Sequence, residues 1–167
     1  MRNQERRTMS WRCVLVVAVV LVLGSIASES AAQQTRDALI QSFGEEIQAI
    51  NGKDLNDVMS HVHEDVVLFG LYSPFPAVGK ARFQQAVQDY FDSFEEANLN
   101  PAHEEYMVIG ETGVAWGLYQ LTTKPKDGMA QTVNGQYMFT YARPSGQWQI
   151  VSWHFSPLPK HLSLIHI

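Results

Sequence analysis

The chain has 167 residues, a formal net charge of −5 and a single cysteine, Cys13. This length suits one domain. The acidic balance argues against binding to the phosphate backbone of nucleic acid, and one cysteine cannot form a disulfide within the chain.

The first 32 residues have the order of a secretory signal peptide. A basic stretch precedes an apolar run from Cys13 to Leu23, and small residues follow. The run is shorter than the ~20 apolar residues that a membrane-spanning helix needs. An uncleaved amino-terminal anchor is the alternative interpretation. Cleavage before Gln33, or after Ala27, predicts a secreted or periplasmic protein with no membrane attachment. The cut at Gln33 leaves eight basic and fifteen acidic residues, a formal charge of −7.

Two helices are predicted at the start of the mature chain. Apolar residues at three- and four-residue spacing indicate a first helix from Thr35 to Ile50, with Glu45 and Glu46 on its polar side. Asn51-Gly52 is typical of a helix end. Asp54 then caps a second, shorter helix that ends near Asp65.

A short apolar strand, Val66 to Phe69, follows the second helix. Residues 70–79 contain two prolines and are predicted to be a loop without strand pairing. A continuous apolar stripe then predicts a third helix from Lys80 to Phe94.

The second half of the chain alternates with period two. Short turns between long runs predict an antiparallel meander of four strands. These strands are Glu105–Glu111, Val114–Thr123, Thr132–Arg143 and Trp148–Ser156. Three helices followed by such strands indicate an α+β fold, with the helices packed on a mainly antiparallel sheet.

The last strand is apolar on both faces, which predicts a central position in the sheet. Strict alternation places Trp148, Ile150 and His154 on one face, which we interpret as a pocket wall. It places Val151, Trp153 and Phe155 on the other. Since three helices cannot cover both faces of the sheet, the second face is predicted to form a homodimer interface.

The end of the chain needs separate treatment. The last six residues match the translation of a transposase end sequence that is used as a sequencing adapter. We therefore interpret residues 161–167 as a non-native tail and exclude His166 from any site.

Several short phrases carry a family resemblance that spans residues 33–160. They are Asn51-Gly52-Lys53-Asp54-Leu55, Val78-Gly79-Lys80, Gly117-Leu118-Tyr119, Gly135-Gln136-Tyr137 and the final run from Gly146 to Val151 with His154-Phe155-Ser156. Together with the order of elements, they resemble the SnoaL-like group of the NTF2-like superfamily. The final run is also similar to the association domain of calcium/calmodulin-dependent kinase II. The resemblance implies a cone-shaped α+β barrel, a pocket on the concave sheet face, and dimers.

The resemblance also implies which residues a steroid isomerase of this superfamily would need: a tyrosine on the first helix and two carboxylic acids in the pocket. Glu46 stands at the tyrosine position and Gly70 at the position of the base. The strand from Gly135 to Tyr141 contains no carboxylic acid. We therefore expect a different function.

His154 is the candidate for chemistry, because an imidazole on a covered strand can transfer protons near neutral pH. The alternative is a structural histidine held by a neighbouring polar group. His61, Tyr90, Trp116 and Gln136 are the further candidate ligand-binding residues. No metal site and no cofactor are predicted.

The aromatic residues indicate the kind of ligand. Tyr72, Phe75, Tyr90, Phe91 and Trp116 favour a small apolar molecule, cyclic or aromatic. The leading interpretation is an exported dimer that encloses such a molecule. The alternatives are an isomerase, cyclase or dehydratase that uses His154 as acid and base, and a non-catalytic assembly module; whether the protein is an enzyme stays open.

Overall fold

The computed structural model describes residues 11–71 and 73–159, with side chains described from Ala31 onward. The helices in this part of the chain are α1 (Trp11–Asn51), α2 (Leu55–Ser60) and α3 (Lys80–Ser93). The strands are β1 (Val62–Phe69), β2 (Ala77–Val78), β3 (Phe94–Ile109), β4 (Thr112–Pro125), β5 (Gln131–Ala142) and β6 (Gln149–Pro157).

The chain divides at Thr35 into two compact units. In the first unit the described chain is the amino-terminal part of α1, where the Thr35 hydroxyl donates to the Ala31 carbonyl oxygen at 2.9 Å. The second unit begins at Arg36 and contains the rest of α1 and the other described elements. Residues 1–10 and 160–167 lie outside the described residues, so the predicted leader and the predicted non-native tail stay predictions.

The second unit is built on a six-stranded sheet in the order β2-β1-β6-β5-β4-β3. Neighbouring strands are antiparallel except β1 and β6, which are parallel. The predicted α+β class and the meander from β3 to β6 are confirmed. The central position predicted for the last strand is confirmed as well, because β6 lies between β1 and β5. The sheet is curved and does not close.

Four predicted boundaries were wrong. Helix α1 begins at Trp11 and not at Thr35. Strand β1 begins at Val62, so His63 to Asp65 belong to a strand and not to a helix end. The predicted loop of residues 70–79 contains β2, which pairs with β1. Strand β3 begins at Phe94 and runs through Pro101, which pairs with Tyr119. A proline is tolerated there because β3 is the edge of the sheet.

A β-bulge in β6 reverses the predicted facing of that strand. Ile150 pairs with Tyr141, whereas Ser152 already pairs with Thr140, so Val151 is an extra residue. Beyond a bulge, the alternation of side chains shifts by one position. The predicted division of the strand into two faces was therefore wrong after Ile150.

The bulge places a continuous set of side chains on the concave face. Trp148 and Ile150 point inward before it, and Trp153 and Phe155 point inward after it. Trp153 is 4% exposed, stacks on Phe83 of α3 at 5.4 Å and lies 4.9 Å from the Phe139 ring in an edge-to-face contact. The predicted outer, dimer-forming role of Trp153 and Phe155 was therefore wrong.

Two reciprocal glycine–tyrosine pairs shape the centre of the sheet. Gly117 on β4 lies directly opposite Tyr137 on β5, and Tyr119 lies opposite Gly135. A Cβ atom at Gly117 would lie 3.0 Å from the Tyr137 hydroxyl, and one at Gly135 would overlap the Tyr119 ring and the Ser156 carbonyl oxygen. Each glycine therefore leaves room for a tyrosine ring, which explains the repeated Gly-x-Tyr phrases.

The phrase Asn51-Gly52-Lys53 connects α1 to the junction between α3 and β3. The Asn51 amide donates to the Leu99 carbonyl oxygen at 3.0 Å and accepts from the Leu99 N–H at 2.7 Å. The Lys53 ammonium donates to the carbonyl oxygens of Phe91, Phe94 and Glu95. A cation at the carboxyl end of α3 satisfies groups that the helix leaves unpaired.

Replacement of Gly135 tests the glycine–tyrosine pairing. Gly135→Ala is expected to lower the free energy of unfolding by roughly 2–4 kcal/mol, because the methyl group overlaps backbone as well as the Tyr119 ring. Urea denaturation followed by circular dichroism measures this change.

The matched control is Gly44→Ala in α1, where an added Cβ has no neighbour within 4 Å. That substitution is expected to raise stability by about 0.5–1 kcal/mol, because alanine favours helix more than glycine does. Equal losses from both substitutions would show that the pairing does not matter.

Candidate functional site

A cavity of about 850 Å³ lies at one end of the concave face. Helix α3, the segment after β1 and the inward side chains of β3, β4 and β6 surround it, and Ile50 of α1 contributes to its wall. Most of the wall is apolar or aromatic, formed by Leu68, Val87, Phe91, Leu121, Trp153 and Phe155 among others. A space of this size and character fits a small organic molecule.

Polar side chains occur at the α3 side of the cavity. Arg82, Gln85 and Asp89 contribute to the wall and are exposed. The Gln85 amide donates to the Asp89 carboxylate at 2.7 Å. The polar groups therefore lie where the cavity meets solvent, and its inner walls are apolar.

The rest of the concave face is filled by aromatic side chains. Phe43 of α1 stacks on Tyr137 at 5.5 Å and lies 5.5 Å from the Phe139 ring. Phe139 also lies 5.5 Å from Phe155, a cavity wall residue. This aromatic cluster separates the cavity from the opposite end of the sheet.

Glu46 is the unexpected residue in this core. Its side chain is 0% exposed, although the sequence pattern placed it on the polar side of α1. The Tyr141 hydroxyl donates to Glu46 Oε2 at 3.1 Å, and Oε1 has no hydrogen-bond partner in the part of the chain that the structure describes. Burial raises the pKa of Glu46 to about 8, and the Tyr141 hydrogen bond only partly offsets this effect. Glu46 is therefore a neutral acid at pH 7.

Three tyrosines of β3 and β5 do not titrate near neutral pH. Burial raises the pKa of Tyr106 to about 12. Burial raises the pKa of Tyr137 and of Tyr141 further above the ordinary value of 10, with Glu46 contributing at Tyr141. The Tyr137 hydroxyl is buried and has no hydrogen-bond partner among the described residues.

Of the predicted ligand-binding residues, Tyr90 lies in the cavity wall. His61 does not: it ends α2, and its Nε2 lies 3.6 Å from the Asp57 carboxylate. Tyr72, one of the aromatic residues used to predict the ligand, lies outside the described residues. The predicted ligand-binding role of Tyr90 stays a prediction.

The structure separates His154, Trp116 and Gln136 from the cavity. His154 and Gln136 are exposed on the outer face of the sheet, and Trp116 lies half-buried on that same face. The bulge at Val151 causes this change for His154. Its predicted place in a pocket wall was wrong, and its imidazole lies 5.6 Å from the Phe69 ring.

These outer residues form one row across the sheet, which we call the outer row: Phe69, His154, Met138 and Trp116. Each is directly opposite the next on the neighbouring strand, and Glu105 follows Trp116 on β3. Phe69 is 46% and Met138 51% exposed. The structure therefore brings two of the predicted site residues together, but on the opposite side from the cavity.

The geometry defines an NTF2-like α+β protein with a pocket on the concave sheet face. The sequence of residues 39–160 matches the model of the SnoaL-like domain, and the chain belongs to this family. A comparison with curated proteins finds no significant match.

Solved structures share the fold. An NTF2-like superfamily protein from Salmonella enterica is 15% identical with a TM-score of 0.70, and the match covers 81% of this chain and 99% of that one. A candidate dehydratase of the NTF2-like family from Streptomyces avermitilis is 13% identical with a TM-score of 0.70, covering 76% and 99%. A ketosteroid isomerase-like protein from Erwinia carotovora is 18% identical with a TM-score of 0.65, covering 74% and 96%. Identities this low establish the fold alone.

Neither a metal-binding cluster nor a membrane span occurs in the described residues. No group of three or more histidine, cysteine, aspartate or glutamate side chains is placed to hold a metal ion. No helix there has both the length and the apolar character that a membrane span requires.

Sequence reasoning missed Glu46 although its spacing was informative. It stands three residues after Phe43 and four before Ile50, both of which are buried. Residues at those spacings share a helix face. Because glutamate is usually exposed, Glu46 was predicted to lie on the polar side of the helix in spite of this spacing.

The burial of Glu46 predicts a pH-dependent stability. The folded state holds this proton up to about pH 8, and the unfolded state releases it near the ordinary glutamate pKa of 4.5, so stability falls as pH rises between these values. We expect a loss of about 2–3 kcal/mol between pH 6 and pH 9 that Glu46→Gln abolishes. Urea denaturation of both proteins across this range measures it.

Glu45→Gln is the control, because Glu45 is exposed on the same helix. This variant is expected to keep the pH dependence of the unmodified protein. A parallel decline in Glu46→Gln would assign the effect to another group.

Proposed function

We propose that this SnoaL-like domain binds a small apolar molecule in the cavity between α3 and the concave sheet face. We also propose that it is exported by its amino-terminal leader and works as a homodimer. The cavity carries the first part of the proposal, because the protein's own side chains fill one end of the concave face and leave about 850 Å³ at the other.

The wall chemistry supports an apolar ligand. Trp153, Phe155, Phe91 and Leu121 offer a large apolar surface, and burial of such surface is the main driving force for binding. Arg82 and Asp89 carry opposite charges at the exposed side. A neutral or weakly polar molecule with its polar end toward solvent fits this arrangement.

Catalysis by His154 in the cavity is disfavoured, because the imidazole is exposed on the outer face of the sheet. A group must come within hydrogen-bond reach of its substrate to act as acid or base. A pure assembly module is also disfavoured, because such a module has no need of an unfilled cavity. Binding is the function that the arrangement supports best.

The outer row supports the homodimer. It is a contiguous apolar strip in the middle of the sheet, and such strips mark interfaces. The chain is acidic overall, yet the row contains no acidic or basic group from Phe69 to Trp116 apart from the imidazole. Two copies related by a two-fold axis can therefore join these strips without burying like charges.

The binding proposal predicts that a large side chain placed in the cavity weakens ligand binding. Ala86 of α3 contributes to the wall, and Ala86→Trp would put an indole into the space. We expect affinity for the neutral fluorescent probe N-phenyl-1-naphthylamine to fall at least about tenfold, equal to ~1.4 kcal/mol. Fluorescence titration measures it.

Ala38→Trp is the matched control, since Ala38 is exposed on α1 and away from the wall. It is expected to leave probe binding unchanged. No binding to the unmodified protein, or equal binding to the Ala86 variant, would refute the cavity as the ligand site.

The dimer proposal predicts that a charge in the outer row separates the subunits. Met138→Glu places a carboxylate near the middle of the strip, where burial of a charge is costly. We expect a monomer by light scattering. Met129→Glu is the control, because Met129 is 86% exposed outside the row, and it is expected to remain dimeric. A monomeric unmodified protein would contradict the proposal.

A further inference from the structure

We propose that the contact between Glu46 and Tyr141 is a proton-dependent latch that controls the cavity. Proton loss from Glu46 leaves an incompletely paired buried charge between α1 and β5, and the cost of that charge weakens the attachment of α1 to β5 and thereby weakens ligand retention. The inference rests on the proposed binding function and adds its regulation.

The latch is the polar contact in an otherwise aromatic region between α1 and the sheet. Glu46 comes from α1 and Tyr141 from β5, and both are fully buried. A neutral acid fits there, but a carboxylate would have a single donor and one oxygen without a partner among the described residues. An incompletely paired buried charge is strongly unfavourable, so ionisation favours states in which the helix separates from the sheet.

Among the described residues, no cationic side chain acts on the Glu46 carboxyl, whose raised pKa has burial as its main cause, partly offset by the Tyr141 hydrogen bond. Tyr106 of β3 and Tyr137 of β5 act electrostatically on Tyr141, the hydrogen-bond partner of Glu46. Glu104 of β3 acts on Tyr106, and the Arg36 guanidinium lies over the Tyr106 ring at 6.0 Å. In the described core around Glu46, α2, α3 and β6 present no ion pair to it, and burial raises its pKa to about 8, which lies within the range of pH 6 to 9.

Glu46 and Tyr141 each lie close in the chain to a residue that lines or supports the cavity wall. On α1, Ile50 stands one helical turn after Glu46 and contributes to the cavity wall. On β5, Phe139 stands two residues before Tyr141, and its ring lies 4.9 Å from that of Trp153 in the wall. A shift of α1 relative to β5 therefore moves one wall residue and releases the side chain that supports another.

The test is the affinity for N-phenyl-1-naphthylamine as a function of pH. If only the protonated form binds well, affinity should fall about tenfold between pH 7 and pH 9, because the competent fraction falls by that amount. Glu46→Gln should bind equally at both pH values. Glu45→Gln, with an exposed substitution on the same helix, should behave as the unmodified protein does.

Tyr141→Phe separates a latch from a merely structural contact. The tyrosine hydrogen bond lowers the pKa of Glu46, so its removal should move the midpoint of the binding profile to higher pH. A purely structural role would weaken binding at every pH and leave the midpoint in place. That result, or a pH-independent affinity of the unmodified protein, would overturn the proposal.

Hydrogen exchange keeps the latch testable if the probe does not bind at all. Protection factors of the α1 amides from Leu39 to Asn51 should decrease more between pH 7 and pH 9 than those of the β4 amides in the unmodified protein, and this difference should be absent in Glu46→Gln. An equal decrease in α1 and β4 would report only the global loss of stability and would overturn the latch. Absence of binding together with the larger decrease in α1 would refute the ligand proposal and retain the latch. Constant protection in both proteins would overturn the latch.

Discussion

The arrangement of the protein depends on one extra residue in the central strand. Val151 interrupts the pairing of β6 with β5 and shifts the alternation of side chains by one position. Because of this shift, Trp153 and Phe155 reach the concave face, where they support α3 and form the cavity wall. The same shift turns His154 outward. The core, the cavity and the outer row all follow from the bulge.

The concave face combines two different environments. One end is filled by the rings around Phe139, and it contains the buried acid Glu46. The other end is open and apolar, with charged groups confined to its exposed side. The protein's own side chains therefore fill only part of the concave face, and this unfilled space is the observation behind the proposed binding function. Ile50 and Phe139 connect the two ends, and a change at Glu46 can therefore reach the cavity.

Much of the fold was predictable because it depends on local patterns. The helical spacing around Phe43 and Phe83, the period-two alternation of the later strands and the turn residues between them identified nearly every element. The family phrases also have physical causes, although these are contacts between distant parts of the chain. Gly117 and Gly135 leave room for the opposite tyrosines, and Asn51 pairs with the backbone of Leu99. The site was less predictable, since Tyr90 lies in the cavity wall but His61, Trp116, Gln136 and His154 do not.

By itself, the sequence determined the α+β class and the central place of the last strand, because hydrophobic periodicity and turn chemistry act over a few residues. The family was indicated by the resemblance of short phrases. Only the tertiary structure decided which way His154 and Trp153 point, since a bulge is a property of strand pairing and not of one strand's pattern. Only the tertiary structure showed that Glu46 is buried against Tyr141. A glutamate on a helix face is exposed or buried according to what packs on that face, and the packing partner lies 95 residues away.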